Sequence, residues 1–394
     1  MSTEDSHTLH LRRVTRDSIP RATEAMLWGR AAGRCEFAGC NRPLWRSPVT
    51  QEGVNLAEKA HIYAFSPRGP RGSTAIPRSA LNRLQNLLLV CHDCHVTIDR
   101  TPDLLERYPA ARLLQWKAEH EERVELATSV GPDKRSHVVI YGANIGDHRS
   151  PLRFEAAAES LFPDRYPAAD RPIALGMTNS ALGDGDPRFW EREAENLRSL
   201  FDRRIREPRA DGHLGHLSVF ALAPQPLLIY LGSLLVDIDA ADVYQLHREP
   251  PTWRWADEED PIKLHVREPP ETDGPPALVL SLSATIDSSR IRAVDPALCI
   301  WELSIDLPHN DFLKHRSTLR AFRQAMRALL DRIKAAHGQD AELAIFPAMP
   351  IACAVELGRV RMPKADLPWI IYDQLPKRGF VPALRVPRSE ISHS

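Results

Sequence analysis

The sequence lacks any long apolar run. None of its stretches approaches the roughly 18 consecutive apolar residues that a membrane-spanning helix needs, which disfavours an integral membrane protein. The first residues, MSTEDSHTLHLRR, contain no apolar core of the kind found in secretory signals, so we expect a cytoplasmic protein. The net charge is close to zero, -1 at pH 7, which removes the simplest argument for a nucleic-acid partner.

The sequence also lacks the glycine-rich fingerprint G-x-G-x-x-G of dinucleotide-binding folds. The nearest segment, 142–146, is too short for it, so an ordinary dinucleotide cofactor is disfavoured. The composition is that of a globular protein, with 43% hydrophobic and 26% charged residues. At about 150 residues per domain, the 394 residues predict two to three domains.

Basic charge is concentrated locally rather than overall. Basic residues slightly outnumber acidic ones in residues 1–125, and the loop 66–72 has the sequence SPRGPRG. A local patch is sufficient for an electrostatic contact with nucleic acid. On charge alone an ordinary solvated loop is favoured, and Arg68 and Arg71 become candidate contacts to nucleic-acid phosphates only if the neighbouring segments also indicate a nucleic-acid site.

Four of the six cysteines lie within the first hundred residues, as two closely spaced pairs. The pairs are Cys35 and Cys40, then Cys91 and Cys94. Two such pairs, each on a tight turn, supply the four thiolates of a tetrahedral zinc site. Disulfides are the alternative, which a reducing cytoplasm disfavours. The remaining cysteines, Cys299 and Cys353, lie in apolar stretches and are expected in the core.

Two histidines and an asparagine follow in order around these cysteines. His61 lies between the two pairs, Asn86 precedes an apolar run, and His95 directly follows Cys94. This ordered set resembles the HNH, or ββα-metal, endonucleases over about residues 28–100. The resemblance implies a zinc-stabilised strand–loop–strand–helix unit that hydrolyses phosphodiesters.

The resemblance assigns a role to each residue of the set. His61 would be the general base that takes a proton from the water attacking a DNA phosphodiester, since an unperturbed imidazole has a pKa of about 6.5. Asn86 would orient His61 through a side-chain hydrogen bond. His95 would bind Mg²⁺ or another divalent cation that neutralises charge on the phosphate.

The metal site departs from the family pattern at one position. Family members often carry a metal ligand immediately before the general base, whereas this chain has Ala60 there. Asp99 lies four residues after His95 and would share its helix face, which makes it a candidate second ligand. Glu58 is an alternative substitute for the missing ligand.

After residue 100 the sequence pattern changes. Residues 103–127 have helical periodicity, and 128–136 have the composition of a linker. We therefore place an endonuclease domain with its flanking helices at 1–127 and a second domain at 137–394. In the second domain strands alternate with helices, which is typical of an α/β fold.

The second domain contains an internal repeat with a constant offset. Phe220 corresponds to Phe346 and Gly232 to Gly358, and similar strands and helices surround each pair. A constant offset across several positions predicts two tandem Rossmann-like α/β units, which we place at about 137–260 and 275–386.

These two units resemble the SAVED domain, a fusion of two CARF-like subdomains, over about residues 137–386. With the HNH resemblance, the architecture is similar to the HNH–SAVED effector nucleases of bacterial CBASS anti-phage defence. The resemblance implies that a cyclic di- or trinucleotide binds SAVED and drives a homodimer into a higher oligomer, such as a tetramer. The HNH domain would then degrade double-stranded DNA, leading to abortive infection.

Candidate ligand-binding residues lie at or near strand ends, where doubly wound sheets bind their ligands. Small or flexible side chains there leave room for a ligand, aromatic side chains stack on bases, and basic side chains meet phosphates. The candidates are Ser283, Met349, Trp253, Trp255, Tyr372, Arg248, Lys314 and Arg316. For each aromatic residue, core packing is the alternative.

Two other functions stay open at this point. One is a restriction-type HNH endonuclease whose C-terminal region reads DNA sequence or base modification. The other is a non-catalytic, zinc-stabilised binding module with a nucleotide-sensing tail, which would leave the order of His61, Asn86 and His95 unexplained. Discrete fragments produced without a signal would favour the restriction enzyme.

Overall fold

The fold is that of a computed structural model, which describes residues 18–66, 68–72, 76–144, 152–176, 183, 185–236, 238 and 240–388. The chain divides into two compact units, Met1–Val130 and Gly131–Ser394. The division falls inside the segment 128–136 that the sequence predicts as a linker. Among the described residues, no helix combines the length and apolarity required to cross a membrane.

The first unit is a two-stranded antiparallel sheet enclosed by helices. Its elements are α1 (Arg21–Arg30), β1 (Ala57–His61), α2 (Arg78–Leu81), a 3-10 turn (Leu84–Asn86), β2 (Leu87–Cys91), α3 (His92–Arg100), α4 (Leu104–Arg107) and α5 (Ala110–Thr128). In the sheet, Ala57 lies opposite Cys91 and His61 opposite Leu87. Every residue of β2 is buried, because its apolar side chains pack with the surrounding helices. The order β1, β2, α3 gives a ββα unit.

One helix of this unit is shorter than its periodicity predicts. The sequence predicts continuous helix over 103–127, whereas the structure has α4 and α5 separated at Pro109. Proline has no amide hydrogen, and its ring restricts the preceding residue to extended conformations, so the helix restarts there. Pro109 is the N-cap of α5.

The second unit contains two α/β sheets. Its elements are β3 (Arg135–Gly142), α6 (Phe154–Glu159), β4 (Tyr166–Pro167), β5 (Ile173–Ala174), α7 (Pro187–Phe201), α8 (Glu207–Ala210), β6 (His216–Leu222), α9 (Gln225–Leu234), β7 (Ala241–Val243), β8 (His247–Arg248), β9 (Pro251–Thr252), β10 (His265–Arg267), β11 (Pro276–Ser281), α10 (Ser288–Arg292), β12 (Cys299–Ser304), α11 (Arg316–His337), β13 (Leu343–Ala348), α12 (Ile351–Val360), β14 (Trp369–Leu375) and β15 (Gly379–Val386).

The two sheets have related topologies. The first has the order β4-β3-β6-β7, with β5 also paired to β3, and all its pairings are parallel. The second has the order β10-β12-β11-β13-β14-β15, in which only the outer strands β10 and β15 are antiparallel. The series β3-β6-β7 matches β11-β13-β14, so the predicted repeat of α/β units is confirmed.

The two halves pack against each other through equivalent helices. α9 and α12 cross at Gly232 and Gly358, the two glycines related by the repeat. A Cβ atom on Gly232 would lie 1.9 Å from the carbonyl oxygen of Val355, and one on Gly358 would lie 2.0 Å from that of Ile229. Only glycine permits so close an approach of the two backbones.

Aromatic side chains are arranged equivalently in the two halves. Phe220 stacks on Tyr244 at 4.4 Å between ring centroids, and Phe346 stacks on Tyr372 at 4.5 Å. A third ring meets each phenylalanine edge-on, Trp253 in the first half and Phe380 in the second. The sequence periodicity predicted the repeat, but these rings show that it extends to side-chain packing.

Candidate functional site

The two cysteine pairs lie together: Cys35 and Cys40, from the segment after α1, meet Cys91 and Cys94 at the junction of β2 and α3. Their sulfur atoms all lie within 4.8 Å of one another. Cys91 is the last residue of β2 and Cys94 lies in the first turn of α3, so the strand–helix junction supplies one pair. All six cysteines of the chain are free thiols. The four can therefore hold a metal ion, and thiolate donors in this number fit a tetrahedral zinc site.

Burial makes two thiols of the cluster harder to ionise. Burial raises the pKa of the Cys35 thiol to about 12 and raises that of Cys94 still further. Burial alone would also raise the pKa of Cys40, but hydrogen bonds from the backbone of Arg42 and from the other cysteines lower it. Four adjacent thiols resist ionising together, and a divalent ion among them would remove that penalty by binding the thiolates.

His61 lies at the end of β1 and is largely buried, with 9% of its surface exposed. Its Nε2 atom is 2.9 Å from Oδ1 of Asn82. The sequence predicts this hydrogen bond for Asn86 instead. The side-chain oxygen of Asn86 accepts from the amide of Tyr63, and its side-chain nitrogen donates to the carbonyl oxygens of Tyr63 and Leu81. Asn86 thus holds the chain that follows β1.

His95 and Asp99 share one face of α3, as their spacing predicts. Nε2 of His95 lies 3.3 Å from Oδ2 of Asp99, and Nδ1 of His95 lies 3.9 Å from Oε2 of Glu58. Among the described residues, the cysteines form the only group of three or more potential metal ligands that are mutually close. His95, Asp99 and Glu58 do not form such a group, although His95 lies within 4 Å of a carboxylate oxygen of each of the other two.

Arg71 is not placed to contact a phosphate, contrary to the expectation from the sequence. Its side chain is only 2% exposed, and its three nitrogen atoms donate to the carbonyl oxygens of Ile62 and Ile98 and to Oδ1 of Asp99. Burial would raise the pKa of Asp99, but hydrogen bonds from His95 and Arg71 outweigh it and lower that pKa. Arg71 therefore ties the loop to α3, whereas Arg68 is exposed.

The second unit has a cavity of about 830 Å³ at the carboxyl end of β6. Its walls come from α6, from the hairpin β8–β9 with the residues that follow it, and from the segment before α11. Three of the predicted ligand-binding residues line it: Trp253, Trp255 and Lys314. A cavity of this size with aromatic walls and a few polar groups is typical of small-molecule sites.

Two predicted aromatic contacts are accounted for largely by packing. Trp253 is 5% exposed and meets Phe220 edge-on, so only part of its surface faces the cavity. Tyr372 stacks on Phe346 in the second sheet and does not line the cavity. Trp255 is half-buried and offers the more accessible ring.

The other predicted ligand-binding residues also lie outside the cavity lining. Arg316 pairs with Asp164 at 2.6 Å and lies over the ring of Tyr244. The backbone amide of Arg248 donates to Asp311, and its side chain is exposed. The remaining two, Ser283 and Met349, follow β11 and β13. The backbone amide of Ser283 donates to the carbonyl oxygen of Ala348, and that of Met349 donates to the side-chain oxygen of Gln225.

Sequence reasoning missed two residues that the structure brings to these sites. Asn82 contacts His61, and His247 lies in the wall of the cavity. For Asn82, the sequence offers only its position four residues before Asn86, the residue predicted to contact His61. No signal marks His247, because a histidine in a short strand is most often an ordinary packed residue.

Residues 197–386 match the family model of SAVED, described as the SMODS-associated and fused to various effectors sensor domain. The match includes β6 and every later strand, so it covers the whole second sheet but only β6 and β7 of the first. The C-terminal part of the chain therefore has the SAVED/CARF-like fold. None of the curated proteins compared with the chain matches it.

Solved structures of Cap4 SAVED/CARF-domain containing receptors are similar to this chain. Two are from Acinetobacter baumannii, with the cyclic trinucleotides 2′3′3′-cAAA and 3′3′3′-cAAA. Both are 12% identical, with TM-scores of 0.43 and 0.42, and the matches cover 71% and 72% of this chain. A receptor from Moraxella osloensis is 11% identical, with a TM-score of 0.37 over 72% of this chain. The chain spans 56%, 59% and 63% of their respective lengths.

Proposed function

We propose that the chain is a metal-dependent DNA endonuclease that is switched on when a cyclic oligonucleotide binds its C-terminal sensor domain. The observation that supports this most directly is the combination on one chain of a SAVED sensor match and a ββα unit carrying His61, His95 and a four-cysteine cluster. SAVED domains are cyclic-oligonucleotide sensors of CBASS-type anti-phage defence, which gives the proposed enzyme its setting.

The proposed reaction is hydrolysis of a phosphodiester in double-stranded DNA. His61 takes a proton from the attacking water, and the hydrogen bond with Asn82 fixes the orientation of its ring. Asn86 keeps the loop after β1 in place through its three backbone contacts. A divalent cation such as Mg²⁺, held by His95 with Asp99 or Glu58, would supply charge neutralisation at the phosphate.

The four-cysteine cluster has a structural role in this proposal. A zinc ion held by all four thiolates has no open position for substrate, which is typical of structural sites. Such an ion would join the turn at Cys35 and Cys40 to the junction of β2 and α3. It would thereby fix α3, which carries His95.

The sensor acts by shifting a population of states. A ligand changes activity only as far as it binds the active state more tightly than the resting state. We propose that the cyclic oligonucleotide occupies the cavity lined by Trp253, Trp255 and Lys314 and thereby favours an assembly of homodimers in which the endonuclease domains are competent.

The proposal is tested with the full-length chain, supercoiled plasmid, Mg²⁺ and a panel of cyclic di- and trinucleotides. We expect at least one of these compounds to switch on cleavage to short fragments, with a parallel increase in molecular mass by light scattering. His61→Ala should lower the cleavage rate about 10²- to 10⁴-fold, the usual contribution of a general base. His213→Ala is the control, because His213 is an exposed histidine of the second unit.

Three results would count against this function. Cleavage that is equally fast without any cyclic oligonucleotide would contradict the sensor, and discrete fragments in that case would support a restriction-type enzyme. Full activity of His61→Ala would remove the general base. Absence of cleavage by the wild-type chain with every compound, while one of them binds tightly, would leave a sensor without nuclease activity.

A further inference from the structure

A phenylalanine and an arginine lie beside the proposed general base of the first unit. The ring of Phe65 meets that of His61 edge-on, with 6.1 Å between the ring centroids. The guanidinium of Arg78 lies over the ring of Phe65, 5.0 Å from its centroid. Arg78 is the first residue of α2, and Asn82, which directly follows α2, contacts His61. Both ends of α2 are therefore tied to the surroundings of His61.

The charge of Arg78 is available to a ligand. The residue is exposed, and its guanidinium forms no ion pair within the part of the chain that the structure describes. Other arginines of the same unit, Arg30 and Arg42, pair with Glu121 and Asp93. A cation without a carboxylate partner, one ring away from the proposed reaction centre, is suited to bind an anionic group of the substrate.

The sequence around this pair has charge of one sign only. The segment 60–92 contains four arginines and no aspartate or glutamate. One of the four, Arg71, is buried and bonded to Asp99, whereas Arg68, Arg78 and Arg83 are exposed. Three exposed arginines in a segment without acidic residues form a local positive surface, and such a surface complements the phosphates of DNA.

The ring of Phe65 restricts where the guanidinium can lie. A cation over an aromatic face is attracted by the negative charge of that face. Because this attraction already orders the long arginine side chain, less conformational freedom is lost when the side chain binds a ligand. The planar guanidinium of Arg78 can donate two parallel hydrogen bonds to one phosphate. Since Phe65 also contacts His61, the ring relates the position of that phosphate to the position of the base.

We infer that Arg78 binds a phosphate of the DNA strand that is cut, next to the phosphodiester hydrolysed at His61, and that Phe65 positions the guanidinium for this contact. The inference rests on the proposed function, because it assigns a substrate contact to the same site. Arg78 is thus a substrate-binding residue, and Phe65 is a positioning residue that acts through Arg78.

The test measures binding of a short fluorescent DNA duplex to the full-length chain by anisotropy, without Mg²⁺ and at several salt concentrations. Arg78→Met should reduce the slope of log K against log salt by about 0.9, the value for one lost phosphate contact. Arg78→Lys should keep the slope, because the charge remains, but should weaken binding, because the planar group is lost. Arg290→Met is the matched control, because Arg290 lies over Phe380 at the same 5.0 Å in the second unit, and it should leave the slope unchanged.

A double-mutant cycle tests the role of Phe65. Phe65→Leu should weaken DNA binding about two- to fivefold, the usual strength of an exposed cation–π contact, and should leave the salt slope unchanged. The same substitution in the Arg78→Met background should have no further effect, since the two residues act together. Equal weakening in both backgrounds would indicate a merely structural role and overturn the assignment of Phe65. An unchanged slope for Arg78→Met would overturn the phosphate contact.

The inference and the proposed function can fail separately. If a cyclic oligonucleotide switches on cleavage and Arg78→Met keeps the KM and the salt slope of the wild-type chain, the phosphate contact is wrong and the function stands. If Arg78→Met lowers the salt slope but no cyclic oligonucleotide switches on cleavage by the wild-type chain, the contact with DNA stands and the proposed function is wrong. If the wild-type chain binds no DNA with or without a cyclic oligonucleotide, both are wrong.

Discussion

Arg68 and Arg71 are three residues apart in one loop but have different surroundings. Arg68 is exposed, whereas the guanidinium of Arg71 is enclosed and satisfied by three acceptors. Arg71 also has a positive φ of 56°, a conformation that a non-glycine residue adopts only where its contacts hold it. Burial therefore separates two residues that the sequence pattern treats as equivalent.

These surroundings predict opposite effects for matched substitutions. Arg71→Met should lower the unfolding free energy of the first unit by about 1 to 3 kcal/mol, because buried carbonyls and Asp99 lose their donors. It should leave the salt dependence of DNA binding unchanged. Arg68→Met should have little effect on stability but should reduce the slope of log K against log salt by about 0.9 if Arg68 meets one phosphate.

Chemical denaturation and DNA-binding titrations at several salt concentrations measure the two quantities. A reduced salt slope for Arg71→Met, with unchanged stability, would contradict the role that the structure gives this arginine. An unchanged slope for Arg68→Met would show that the loop does not contact phosphates.

At the level of secondary-structure elements, the closest packing in the second unit is the crossing of α9 and α12. An added methyl group at Gly232 or Gly358 would overlap sterically with a backbone carbonyl oxygen of the opposite helix. A backbone atom, unlike a side chain, cannot rotate away to relieve the overlap. Helix propensity acts in the other direction, since alanine favours a helix by about 1 kcal/mol over glycine. Crowding should outweigh this gain.

Gly358→Ala is therefore expected to destabilise the second unit by about 1 to 3 kcal/mol. Gly29→Ala is the matched control, because Gly29 also lies in a helix but an added Cβ would meet nothing within 4 Å. That variant should be neutral or should stabilise the first unit by up to about 1 kcal/mol. Thermal and urea unfolding of both variants measure these changes; stabilisation by Gly358→Ala would show that the helices can move apart freely.

The elements were largely predictable from the sequence, whereas the sites were predictable only in part. Apolar runs predicted the strands, because buried strands need apolar side chains. The constant offset predicted the repeat, because two similar units follow each other along the chain. The spacing of the cysteines predicted that their four sulfur atoms would lie together, because two close pairs are the usual arrangement in four-cysteine sites. The partner of His61 and the cavity residue His247 depend on how distant segments pack, which spacing along the chain does not encode.

At the scale of the whole molecule, the two units have hydrophobic cores of different size and composition. The second unit has a large shared core, while the first has a small core of which Cys35, Cys91 and Cys94 are part. Where a metal binds only the folded form, its binding free energy contributes directly to folding.

Removal of metal should therefore affect the units unequally. We expect a zinc chelator to lower the unfolding temperature of the first unit and abolish cleavage, while the second unit keeps its unfolding temperature and its ligand affinity. Cys91→Ser should behave like the chelated protein, and Cys299→Ser, in β12, should behave like the wild type. Calorimetry with metal analysis measures this; a folded first unit that contains no metal would contradict the zinc site.

The matching aromatic clusters of the two halves have a consequence for how the duplicated fold could diverge. In both halves a stacked pair, Phe220 with Tyr244 or Phe346 with Tyr372, lies next to the hairpin near β7 or β14. An aromatic residue of each hairpin region, Trp253 or Phe380, packs edge-on against the phenylalanine. In the second half that hairpin continues as β15 along the sheet edge, whereas in the first it forms the separate pair β8–β9 beside the cavity. The two hairpins belong to different sheets and pack on separate aromatic pairs, so each can change without altering the contacts of the other. One copy can thus evolve ligand recognition while its sister preserves the architecture.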